Sequence, residues 1–183
     1  MTTRTPHENA DTVSSVCALL VRFPEIASVR CVPADGTVRF TFVVSQKIGR
    51  AAQNAVSQDV DEHVEGFLLL SDDAPRTVRV ECEAARRVTF VHVTRDLDTF
   101  SKDELVMLVT MFADRFENAL IRNPVTDEHV DEDPIAQEQL VDYAIDSLRD
   151  PNQSKSLVGF REEKRVLVYF LKSKRKAKAS ARS

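Results

Sequence analysis

The chain has 183 residues, 43% of them hydrophobic and 30% charged, with four glycines, three cysteines, no tryptophan and a formal net charge of −4. That length suits one domain with appendages. So few glycines leave little material for phosphate-cradling loops or nucleophile elbows. The net charge hides a segregation: residues 1–122 carry −4, residues 123–150 carry −8 and residues 151–183 carry +8.

The opening stretch MTTRTPHENADT has no apolar leader segment, and residues 1–10 are expected to be disordered. From Asp11, apolar residues fall at Val13, Val16, Cys17, Leu20 and Phe23, a helical stripe that Pro24 stops. Strands follow over Ile26–Val32 and Thr37–Val44, around the four-residue turn Pro33-Ala34-Asp35-Gly36. A second helix is expected from Gln46 to Leu69, with Ile48, Ala52, Ala55, Val56, Val60, Val64, Phe67 and Leu68 on its apolar side. Strands Thr77–Ala84 and Arg87–Thr94 then flank a tight turn at Ala85-Arg86. Ser101 to Glu104 reads as a capping box that opens a strongly apolar helix reaching Ile121.

This order, αββαββα over residues 11–121, predicts an α+β core: a four-stranded antiparallel sheet covered by helices on one face. Residues 122–133, RNPVTDEHVDED, read as an acidic linker. Residues 134–171 add a fourth helix, with Ile135, Leu140, Val141, Ala144, Ile145 and Leu148 on its apolar side, and a third hairpin over Ser156–Phe160 and Arg165–Leu171. That extension is expected to pack on the core or on a partner chain. Residues 172–183, KSKRKAKASARS, hold six cations and no acid, which describes a disordered tail.

Strand alternation locates a surface. In the first hairpin the turn sets Cys31 opposite Val38, Val29 opposite Phe40 and Ala27 opposite Phe42. The other face then carries Arg30 directly opposite Arg39. In the second, Val80 faces Val91 and Val78 faces Val93, leaving Arg79 opposite His92, Glu81 opposite Phe90 and Glu83 opposite Val88 on the other side. The third hairpin is apolar on both faces: Leu157, Val166, Val168 and Phe170 on one, Val158, Phe160, Leu167 and Tyr169 on the other. A doubly apolar hairpin calls for cover on both sides.

Candidate chemistry is thin. Asp59, Asp61, Glu62, His63 and Glu65 have helical spacings that metal ligands use, but a solvated helix face has them too. Asp127, His129, Asp131, Asp133 and Glu138 echo a calcium loop, yet Glu132 stands where the turn glycine belongs. Lys47, Gly49 and Arg50 at a helix start offer a weak phosphate site. His92 lacks the cleft and partner of a general base. Cys17, Cys31 and Cys82 form neither a CxxC pair nor a Cys/His cluster. The sequence thus points to no catalytic residue, metal or cofactor.

The expected function is a non-enzymatic cytoplasmic interaction module that self-associates. Its interaction surface would be Arg30, Arg39, Arg79, Glu81, Glu83, Phe90 and His92, with Val158, Phe160, Leu167 and Tyr169 as the oligomer or packing hairpin. The alternative is an RNA- or ribosome-associated factor using Arg30, Arg39 and the tail cations Lys172, Lys174, Arg175, Lys176, Lys178 and Arg182. No apolar run reaches the length of a membrane span.

Overall fold

The computed structural model describes residues 7–123, 134–163 and 165–172. In chain order the elements are α1 (His7–Arg22), β1 (Ile26–Val32), β2 (Thr37–Val44), α2 (Arg50–Leu69), β3 (Val78–Ala85), β4 (Val88–Asp96), α3 (Lys102–Phe116), α4 (Pro134–Leu148), β5 (Leu157–Glu162) and β6 (Arg165–Phe170). The α+β class holds, but the sheet has six strands rather than four, all antiparallel, in the order β3-β4-β2-β1-β5-β6. The cause is the outer edge of β1, whose backbone groups need partners. The C-terminal hairpin supplies them, pairing Leu157 with Cys31 and Phe160 with Ser28. The hairpin therefore completes its own sheet.

Register follows the turns. Gly36, at φ +61°, ends a short helical turn over Pro33–Asp35, and the first hairpin closes with Arg30 opposite Arg39 and Val29 opposite Phe40. A bulge between Ile26 and Ser28 places Ile26, not Ala27, opposite Phe42. The second hairpin turns one residue later than expected. Arg86 takes φ +51°, Ala85 pairs with Val88, and every pair slides by two residues on the partner strand. Val80 thus faces Val93, Glu81 faces His92, Glu83 faces Phe90 and Arg79 faces Thr94. A slide of two leaves every side chain on its expected face.

One face of the sheet is roofed by helices. Val29, Cys31, Val38, Phe40, Phe42, Val91, Val93 and Leu157 are buried there against Val16, Leu19 and Leu20 of α1, Val56, Val60, Val64 and Leu68 of α2, and Leu105, Leu108 and Phe112 of α3. Phe42 stacks on Phe112 at 4.0 Å and Phe40 lies 5.2 Å from Phe100. Helix α2 begins at Arg50 rather than Gln46, because Ile48 N–H donates to Thr89 Oγ1 and holds the preceding residues against β4. In α4, Val141, Ala144, Ile145 and Leu148 are buried, whereas Ile135 and Leu140 are exposed, so its apolar side is narrower than expected. A Cβ on Gly159 would stand 2.3 Å from Val16 Cγ1. Glycine there lets α1 sit directly on β5.

At one end of this roofed face lies a charged cluster. Arg95 is fully buried, and its guanidinium reaches both Glu104 oxygens, the Thr77 carbonyl, Asp96 and the Thr99 hydroxyl. Ser101 Oγ accepts from Glu104 N–H as a helix cap. The Glu104 carboxylate turns inward to Arg95, so only half of the expected capping box forms. Burial alone would raise the Asp96 carboxyl, but bonds from Thr99, the Thr77 N–H and Arg95 outweigh it and hold it at about 2. Burial pushes Glu104 up, against the pull of Arg95.

Candidate functional site

The opposite face of the sheet carries the residues that sequence alternation singled out, and no described helix covers it. Two continuous cross-strand rows run over all six strands. The first is Arg79, Thr94, Arg39, Arg30, Val158 and Tyr169. The second is Glu81, His92, Thr41, Ser28, Phe160 and Leu167. Each row passes from charge on β3 to an apolar end on β5 and β6, the first through Thr94 and two arginines, the second through His92 and small hydroxyls. Phe160 and Tyr169 stack at 5.7 Å, and Tyr169 remains 54% exposed. Glu83 and Phe90 form an adjacent pair beyond the second row.

Local contacts order the polar half. Arg39 Nε donates to Thr94 Oγ1 at 3.1 Å, and its Nη2 lies 2.7 Å from Glu81. His92 Nδ1 meets Thr41 Oγ1 at 2.9 Å, and its ring stacks over Phe90. Burial, then the Arg39 charge, lowers the His92 pKa against smaller upward pulls from Glu83 and Glu81. The imidazole is therefore biased to its neutral form, which suits a hydrogen-bonded structural group more than a proton shuttle. The cation acting on His92 is Arg39, not Arg79, because of the two-residue slide.

The same ends of β1, β2, β3 and β4 enclose a hollow of about 360 Å³ that Arg30, Arg39 and Arg79 all line. Sequence alternation found Arg30 opposite Arg39. It missed the convergence of Arg79 on them, since the expected register set Arg79 beside His92.

The remaining candidates do not assemble. His63 Nδ1 sits against the Asp59 carbonyl, while the Asp59 carboxylate pairs with Arg115. Among the described residues no three His, Cys, Asp or Glu side chains gather as a metal site. Asp127, His129, Asp131 and Asp133 lie outside the described residues, as do Lys174, Arg175, Lys176, Lys178 and Arg182. Lys172 is the last described residue of the tail and is exposed. Burial raises Cys31 to about 12, which keeps it an inert thiol. Among the described residues, no helix is long and apolar enough to cross a membrane. Comparison with protein-family models, curated proteins and solved structures gave no match.

Proposed function

We propose that the protein is an interaction module that pairs with a second copy of itself through the open sheet face. The observation that carries this reading is the self-complementarity of the two rows. A two-fold axis perpendicular to the strands, placed between the rows, superposes each row of one copy on the other row of its mate. Arg79 then meets the mate's Glu81, Thr94 meets His92, Val158 meets Phe160, and Tyr169 meets Leu167. The same operation sets Arg39 against Thr41 and Arg30 against Ser28, so apolar groups find apolar groups and the one acid of the rows, Glu81, finds Arg79.

Size is compatible with such a pairing. Six strands of about seven residues, about 4.8 Å apart, give a face of roughly 650 Å² in projection. Stable interfaces bury about 600–1,000 Å² per partner. Aligned packing of two sheets is an ordinary arrangement. On the inner side of the C-terminal hairpin Leu157, Val166 and Val168 pack on the core while Phe170 stays exposed, and on the open side Val158, Phe160, Leu167 and Tyr169 remain for the mate.

Sedimentation equilibrium at micromolar concentration tests this. The expected result is a dimer for the wild-type chain, a monomer for Phe160→Asp, and an unchanged dimer for Leu70→Asp, a control on an exposed leucine at the end of α2. A monomeric wild type, or a Phe160→Asp variant that still pairs, would overturn it.

A second reading, contact with RNA through Arg30, Arg39 and the basic C-terminal residues, is favoured by one placement. Lys172 leaves β6 at the end where Phe170 pairs with Leu157, which itself pairs with Cys31 beside Arg30. It predicts nucleic acid that co-purifies and leaves with salt. Deleting residues 172–183 should weaken that binding, and indifference to the deletion excludes the reading.

A further inference from the structure

The hollow at the end of the open face has an unusual lining for a protein of net negative charge. Three arginines (Arg30, Arg39, Arg79) and three threonines (Thr37, Thr77, Thr94) line its roughly 360 Å³. The sheet forces the grouping, since Arg30 lies opposite Arg39, and Thr94 pairs with both Arg39 and Arg79. Like charges facing one another across strands cost stability unless something anionic lies between them. Glu81 answers this for Arg39 alone, at 2.7 Å. Among the described residues, the Arg30 and Arg79 side chains have no ion pair or hydrogen bond, and the Thr37 and Thr77 hydroxyls have no partner. The one carboxylate on the lining, Asp35, is exposed in the β1–β2 turn.

We propose that this hollow is an oxyanion site for the phosphate group of a small phosphate monoester. Two unpaired guanidiniums match the double charge of the group, and their planar forks donate paired hydrogen bonds to its oxygens. The threonine hydroxyls donate to the oxygen that the forks leave. A carboxylate has one charge and two oxygens and would leave part of this donor set unmet. Asp35, at the mouth, accepts a hydroxyl from the organic part of the ligand and disfavours a second anionic group there. The site stands on the strand ends of one chain but shares Arg79 with the proposed pairing, which sets that residue against the mate's Glu81, so the anion and the mate compete for it.

Isothermal titration of the full chain with inorganic phosphate, in low-salt chloride buffer, is the test. The expected result is one saturable site per chain. Arg30→Gln and Arg79→Gln should each weaken binding at least about tenfold. Glu81→Gln should tighten it several-fold, because Arg39 is released. Phe160→Asp, which abolishes the proposed pairing and so frees Arg79 from the mate's Glu81, should bind phosphate at least as tightly as the wild type. Absence of a saturable site, or equal binding by the wild type and both arginine variants, would overturn the proposal.

Discussion

The two faces of the sheet use the same residue types to opposite ends. On the roofed face Arg95 is fully employed: it is buried, every direction of its guanidinium is answered, and it ties β4 to the first turn of α3. On the open face Arg30 and Arg79 answer to no described residue. Phenylalanine divides the same way, with Phe40 and Phe42 sealed under helices and Phe160 only half-buried beside the exposed Tyr169. A group whose every contact is internal stabilises the fold. A group held in place by the sheet but left without a contact is free to meet something else.

The largest effect should come from breaking the roofed cluster. Arg95→Met strands Glu104 and Asp96 without their cation, and urea unfolding should show a loss of about 3–5 kcal/mol. Phe40→Ala should cost a similar amount, about 3–5 kcal/mol, whereas Phe160→Ala should cost less than about 1 kcal/mol in a monomeric background. If the two phenylalanines cost the same, the contrast between the faces fails.

Gly159→Ala drives a methyl into Val16 and should cost about 1–3 kcal/mol by the same assay. A neutral result would mean that α1 is not seated directly on β5.

Acid should act through the roofed face as well. Asp96 is held at about 2, below its ordinary value, so its contribution is present above that ordinary value and is lost as pH falls toward 2. The loss, about 2 kcal/mol for this group, should be seen in urea midpoints between roughly pH 5 and pH 2.5 and should be absent in Asp96→Asn. The smallest effects belong to the open face. Arg30→Gln and Arg79→Gln should shift stability by no more than about 0.5 kcal/mol, while changing anion binding.

Much of this contrast was legible in the residues themselves. The turn Pro33 to Gly36 fixed the first hairpin, because proline and a left-handed glycine leave little choice of register. Alternation alone separated Arg30, Arg39, Glu81 and His92 from the core. The second hairpin slid because Arg86 adopts the left-handed conformation without a glycine to advertise it. The sheet grew to six strands because nothing local in residues 157–170 specifies β1 as their neighbour; that pairing spans well over a hundred residues. Arg95 and Asp96 read as polar residues at a strand end. Their burial depends on Glu104 folding back from α3, a tertiary event with no local signal. The anion hollow was half legible, since its third arginine needed the true register.

The most direct test of the central claim, that the two rows of the open face are complementary to each other, is a charge-exchange cycle followed by sedimentation equilibrium. Arg79→Glu and Glu81→Arg, made singly, place like charges across the two-fold axis and should each weaken the dimer. Made together, they restore an opposite pair and should recover much of the wild-type association. A double variant no stronger than either single one, or single variants that pair like the wild type, would contradict it.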